Sequence, residues 1–379
     1  MGEHIMDRRK FLAGASALTA AASMPSFSFA QTASDPNFTP ALVGKPWDPV
    51  RNAMVFDAMG EIRDTFTDEL IEEILSAGMR AIAVTCGNPR QQNQSVEQNY
   101  QSALEEMLWF DRHIAEKSKY YLKATKTADI DRARKEGKLA IFYLTQNSEH
   151  FMHDLDNVDA FYAVGQRVCQ LTYNYQNMAG SGCMERHGSG ISRFGAELIE
   201  KLNEREMMID LSHANVQTTL DAIDISEKPI QISHTCCYDV SPNPRAMPDE
   251  VLKNLADKGG VAGMTQIRTF MTLERFGMVG IYFDHIMHAI NVMGIDHVGV
   301  GSDRDHRRLE VTPEYLDEMQ REQGPLFDVR RVPLYFEELN SPRRMEVIWD
   351  ELIKRGLSED DAEKVTGLNF YNHYKNLIG

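Results

Sequence analysis

Residues 208–245 read MIDLSHANVQTTLDAIDISEKPIQISHTCCYDVSPNPR. Two short apolar runs, at 207–211 and 229–232, each lead into Ser-His, and a helical pattern at 216–225 lies between them. This is a strand–helix–strand unit that puts His213 and His234 at the same point of consecutive parallel strands. In parallel α/β proteins the carboxyl ends of the strands line the active site. Two imidazoles so placed suit one metal ion. A pair of satisfied core histidines is the competing reading, and the matched position in both strands weighs against it.

Outward from this unit the same alternation continues. Apolar runs at 53–57, 81–85, 139–144, 168–172, 207–212, 229–233, 260–265 and 297–301 predict eight strands. Amphipathic stretches at 68–77, 155–164, 194–204, 249–258 and 282–293 predict helices between them. Eight strand–helix repeats without a second composition block predict a TIM (β/α)8 barrel, which takes about 250 residues or more as one domain. Hydrophobic residues form 42% of the 379, enough for one large core. The formal net charge of −16 argues against nucleic acid as a partner.

Residues 1–30 read as an export signal rather than as fold. Asp7-Arg8-Arg9-Lys10-Phe11-Leu12 precedes an Ala-rich run and a small-x-small site, Ser28-Phe29-Ala30. The Arg8-Arg9 pair resembles a twin-arginine signal, which predicts a periplasmic chain starting near Gln31, with residues 31–379 as the barrel domain. No later stretch is long and apolar enough to span a membrane. Cys86, Cys169, Cys183, Cys236 and Cys237 lack zinc-ribbon spacing and are expected as small, mostly buried thiols. Residues 306–342 are charged and too long for an ordinary βα loop. They are expected as a lid or a solvated insertion, helical at 313–323, before closing helices at 343–354 and 358–377. Glu149, His150, His153 and Asp154 read as a solvated helix face.

The strand ends form a set: Asp57-Ala58-Met59-Gly60-Glu61, Thr145-Gln146, Thr172-Tyr173-Asn174, Ser212-His213, Ser233-His234 and Ser302-Asp303. With Arg245-Ala246-Met247-Pro248-Asp249, Gly259-Gly260-Val261 and Gly367-Leu368-Asn369-Phe370, these phrases resemble the membrane (renal-type) dipeptidases, peptidase family M19, among the amidohydrolase-like barrels. They span nearly all of the mature chain in the family's order. The resemblance implies two zinc ions, one on a His-x-Asp pair and a late Asp, the other on the two Ser-His histidines, with a Glu bridging them. It also implies an Arg that holds the substrate carboxylate and a His that contacts the tetrahedral oxygen.

Only part of that set is present. His213, His234, Asp303 and Arg245 stand at matching positions, whereas Met59 and Glu61 replace the His-x-Asp pair, Gln146 the bridging Glu and Tyr173 the oxyanion-contacting His. Zinc seldom takes a thioether. Without the bridging charge, the repulsion between two Zn2+ ions is uncompensated and costs several kcal/mol even at a generous effective dielectric. At most one divalent metal, zinc above others, is therefore expected, on His213, His234 and a carboxylate from Asp303 or Glu61.

Three readings follow. The first is a dipeptidase-like metal-dependent hydrolase of a dipeptide or small peptide-like amide, with Asp303 or Glu61 handling protons and Tyr173 donating to the oxyanion. The second is an exported enzyme that matures a peptide-derived, siderophore-like natural product without ordinary dipeptide hydrolysis. The third is a non-catalytic binding protein that reuses the pocket and Arg245. The family's members are often dimers, which leaves a homodimer open.

Overall fold

A computed structural model describes residues 53–89, 95–274, 277–310, 312–323 and 333–379. The export segment expected at 1–30 and residues 324–332 of the charged insertion lie outside the described residues.

Eight main parallel strands carry the fold: β1 Val55–Glu61, β2 Met79–Thr85, β3 Leu139–Thr145, β4 Gln166–Gln170, β5 Met208–Asp210, β6 Gln231–Cys237, β7 Val261–Met264 and β8 Val298–Val300. Each pairs with the next, from β1 through to β8. The chain leaving β8 then turns back toward β1. Asp303 donates its N–H to Met59 O at 2.9 Å, and Arg304–Asp305 pairs in parallel with Gly60 and Glu61. The sheet thus curls into the expected TIM barrel. Two minor strands, Tyr121–Lys123 beside β3 and Ala246–Met247 beside β6, were not anticipated.

Strand positions agree with the apolar runs to within a few residues, and β1 departs most. Expected at 53–57, it continues to Glu61, because the register against β2 shifts between Asp57 and Gly60 and pairing resumes beyond the irregularity. Met59 and Glu61 are therefore strand residues. A second shift, between Ile232 and Thr235, surrounds Ser233-His234 in β6. Such irregularities re-aim side chains and recur beside active sites.

Helices fill the outer layer: α1 Asp68–Ser76, α2 Val96–Glu116, α3 Thr127–Glu136, α4 Asp156–Val164, α5 Arg193–Glu204, α6 Val216–Ile225, α7 Asp249–Asp257, α8 Val279–Met293, α9 Pro313–Gln323 and α10 Arg344–Lys354. Their starts follow local chemistry. The Thr67 and Ser192 hydroxyls accept N–H bonds from Leu70 and Gly195, and Ser95 with Gln98 forms a capping box. The closing helix expected at 358–377 is interrupted at Lys364–Leu368. A Cβ on Gly367 would lie 2.3 Å from Phe56 N and 2.4 Å from Met54 O. Glycine lets the chain press onto β1, and the helix bends to make that approach. Phe56 then packs against Phe142, Phe370 and Tyr374, with the Tyr374 ring centroid 4.9 Å away.

Candidate active site at the carboxyl ends of the strands

A cavity of about 980 Å³ opens at this end of the barrel, and Glu61, Gln146, Tyr173, His213, Arg245 and Asp303 line it. His213 and Asp303 are two of only five non-glycine residues with positive φ among those described, at 64° and 57°. The left-handed conformation costs an L-residue about 1–2 kcal/mol, and such strain clusters at functional sites.

The two histidines meet as the Ser-His spacing predicts. Their ring centroids are 5.0 Å apart, nearly edge to face. His213 Nδ1 lies 2.7 Å from Asn174 Oδ1, and the Tyr173 ring stacks on its face at 4.1 Å. His234 Nδ1 lies 2.8 Å from Ser233 Oγ. Its Nε2 is buried without a hydrogen-bond partner among the described residues. Burial, with the Arg245 cation adding to it, pushes the His234 pKa well below the usual imidazole range, so the ring is neutral.

Below them lies a buried polar network centred on Asp210 Oδ1. Asp210 Oδ1 accepts the Ser212 N–H at 2.9 Å, the Ser212 hydroxyl at 2.8 Å and the Ser233 N–H at 2.9 Å. Ser212 Oγ accepts the His234 N–H at 3.0 Å. On the β1 side, Asp57 Oδ1 accepts the Ser302 N–H at 2.8 Å and Oδ2 accepts the Ser302 hydroxyl at 2.5 Å, with His306 Nε2 2.8 Å from that same Oδ2. Asp57 is thus fully engaged inside the barrel, and His306 belongs to this core pair rather than to a solvated insertion.

Arg245 is 1% exposed. Its Nη2 donates to His234 O at 3.3 Å, while Nε and Nη1 have no hydrogen-bond partner among the described residues. The Cys183 thiol beside it is held neutral by burial, so it supplies no counter-charge. A buried guanidinium with two donors unused among the described residues presents, on a cavity wall, the fork geometry that suits a carboxylate.

The metal expectation meets a different arrangement. Met59 is fully buried, and Gln146 donates through Nε2 to Thr85 Oγ1 at 2.8 Å. Glu61 pairs with Arg63. Among the described residues, no group of three or more His, Cys, Asp or Glu side chains is placed to hold a metal ion. His213 and His234 share a site, but neither Asp303 nor Glu61 joins them as the expected third ligand. The imidazoles come from β5 and β6, the carboxylates from β1 and the segment after β8, and neutral Met59 and Gln146 stand at the positions that would link the two groups. The donor set does not fit a two-metal centre, and it leaves a single ion with two imidazoles.

Other expectations resolve individually. All five cysteines are free, four of them buried and Cys183 partly so. The 149–154 segment is solvated only in part: His153 and Asp154 are exposed, whereas His150 is buried, 3.0 Å from Gln166 Oε1, and half-buried Glu149 accepts from Asn99. The charged insertion contributes Tyr315, Leu334 and Tyr335 to the cavity wall, the two tyrosine hydroxyls 2.6 Å apart. Sequence reasoning missed Asn174, which orients His213, and Glu106, which lines the cavity from α2. Asn174 adjoins a residue already singled out, while nothing local distinguishes Glu106 from other helix carboxylates.

The membrane dipeptidase family, peptidase family M19, matches residues 47–321. Dipeptidase verJ of Clonostachys rogersoniana is 33% identical over 211 residues, 55% of this chain and 47% of that protein. The uncharacterized dipeptidase C965.12 of Schizosaccharomyces pombe is 33% identical over 178 residues, 45% and 43% of the two chains. The aligned region thus spans about half the length of these curated relatives. An amidohydrolase from Pseudomonas aeruginosa superposes with a TM-score of 0.78 at 26% identity, over 88% of this chain and 99% of that one.

Proposed function

The chain belongs to the membrane dipeptidase family, peptidase M19, and from that membership we propose that it is a dipeptidase-like hydrolase whose substrate is a small peptide-like amide with a free carboxylate. Arg245 carries this reading, through its two unused donors in a desolvated cavity wall. A carboxylate placed there makes charge-assisted bonds that no protein group makes now. The amide then lies over the His213–Tyr173 side of the cavity. Asn174 fixes the His213 ring, Tyr173 is positioned to donate to a carbonyl oxygen, and Asp303 and Glu61 stand at the opposite rim to move protons. The family is one of metallopeptidases, but two imidazoles alone make a weak and labile metal site. Binding and orientation therefore fall to the protein's own groups.

A second reading, maturation of a peptide-derived natural product without ordinary dipeptide hydrolysis, is favoured by the neutral Met59 and Gln146 and by a cavity walled with Trp109, Phe270 and Tyr335.

Calorimetric titration of the full chain with Ala-Phe and with its carboxamide, in each stereochemical form, tests the carboxylate reading. Amidation weakens binding at least tenfold in the unmodified protein, and Arg245→Met removes the difference. Equal affinity for acid and amide overturns the proposal.

A further inference from the structure

Granting the Arg245 reading above, we propose that Glu106 is the specificity-determining residue that binds the ammonium group of the substrate, across the cavity from Arg245.

The placement is built rather than incidental. Ser102, Glu105, Glu106 and Trp109 of α2 all line the cavity, at the spacing of one helix face. The helix is held at that height by Gly87, which follows β2 with φ +83°; a Cβ there would lie 3.2 Å from the Ala103 backbone and side chain. Glu106 Oε2 accepts the Gly87 N–H at 2.7 Å, so the carboxyl is fixed at the end of β2. Arg245 follows β6. In the continuous order β1 to β8 these strands are four apart, which sets them on opposite walls of an eight-stranded barrel.

Glu106 also forms no ion pair among the described residues. The nearby Arg63 pairs with Glu61 and reaches Asp305 at 3.8 Å. Arg307 pairs with Asp305 at 3.1 Å. Among the described residues no Lys, Arg or His forms an ion pair with Glu106. Burial, reinforced by Glu61, raises its carboxyl pKa above the usual range, with Gly87 and Arg63 opposing. Of Glu61, Glu106 and Asp305 on this wall, Glu61 and Asp305 are paired with Arg63 and Arg307, and Glu106 is left without an ion pair among the described residues. A cation entering the cavity restores the balance, as a carboxylate does for Arg245. The complementary ligand is a zwitterion: a peptide-like molecule with a free amino group at one end and a free carboxylate at the other.

Glu106 could instead serve only to cap the Gly87 N–H. Glu106→Gln separates the two roles, because the amide oxygen still accepts that bond while the charge is gone. The probes are Ala-Phe, N-acetyl-Ala-Phe and propionyl-Phe, the last lacking the amine but not its carbon frame, titrated calorimetrically against the full chain. The unmodified protein is expected to prefer the free-amine probe at least tenfold over both others. In Glu106→Gln that preference falls to within twofold, while affinity for the acetylated probe is unchanged. Glu106→Asp, which keeps the charge, retains part of the preference. Should Glu106→Gln fold poorly, Glu106→Asp and the propionyl comparison decide between the roles. No amine preference in the unmodified protein, no binding of Ala-Phe at millimolar concentration, or a full preference surviving in Glu106→Gln overturns the proposal. An acetylated probe that still needs Arg245 leaves the carboxylate reading standing even then.

Discussion

Arg245→Met is expected to stabilise the ligand-free protein while it destroys recognition. In the native fold the guanidinium is buried, with Nε and Nη1 unpartnered. Each buried, unsatisfied donor costs about 1–3 kcal/mol. Against this stand one long hydrogen bond, Nη2 to His234 O at 3.3 Å, contributing about 0.5–1.5 kcal/mol, and the Phe270 ring 5.4 Å from the guanidinium carbon, contributing about 0.5–2 kcal/mol. Methionine keeps most of the apolar stem and removes the charge, as in replacements of buried ions by packed hydrophobes. The net is a gain of about 1–3 kcal/mol, read as a higher denaturation midpoint at unchanged slope in guanidinium chloride. A carboxylate ligand meanwhile loses about 2–5 kcal/mol of binding, some thirtyfold to several thousandfold. A variant less stable than the parent by more than about 1 kcal/mol would refute the reasoning, since it would mean the guanidinium is held for the fold rather than for a ligand.

Three further outcomes follow from the same structure. Purified protein dialysed against a mild chelator is expected to hold less than one equivalent of zinc by elemental analysis, and Met59→His with Glu61→Asp and Gln146→Glu to raise this toward two. Two equivalents in the unmodified chain would mean that thioether and amide are adequate replacements. His150, His285 and His373 are buried, and desolvation lowers each pKa to about 4. The unfolded chain, with imidazoles near 6.5, binds more protons between pH 6.5 and 4, so stability falls as the pH drops through that window, by up to about 1.4 kcal/mol per unit for each histidine; denaturation midpoints that stay flat from pH 7 to 5 would contradict this. We propose export to the periplasm: cell fractionation with N-terminal sequencing is expected to find a chain starting near Gln31, and Arg8→Lys with Arg9→Lys to leave the precursor in the cytoplasm.

The barrel was legible because its signal is repeated. Eight apolar runs and their intervening helices tolerate errors of a few residues, as at β1, without changing the topology. The pairing of His213 with His234 was legible for a related reason: equivalent positions on adjacent parallel strands are necessarily neighbours. The third ligand was not legible, because it depended on where Glu61 and Asp303 point. Glu61 turns to Arg63, a local ion pair that no spacing rule announces. Glu106 was invisible for the opposite reason. Its role depends on a contact with Gly87, nineteen residues earlier, and on the cations that other carboxylates have already taken.

The Ser-His and Ser-Asp phrases that look like a metal signature have a second reason to persist. Ser212, Ser233 and Asp210 satisfy one another and the His234 N–H inside the barrel, and Ser302 does the same for Asp57. Losing any one of them would strand a buried polar group at about 1–3 kcal/mol, whether or not a metal binds above. A Cβ on Gly301 would lie 1.8 Å from Ser233 O, and one on Gly263 2.0 Å from the same atom, so those glycines are fixed by strand approach alone. The phrases therefore report on the interior of the barrel. The residues free to change are those with side chains in the cavity, and there Gln146 and Tyr173 differ from the family pattern while Arg245 does not. On the proposed reading, a pocket that keeps Arg245 and both imidazoles, while neutral side chains replace other metal donors of the family pattern, is suited to recognising peptide-like acids through charge and shape.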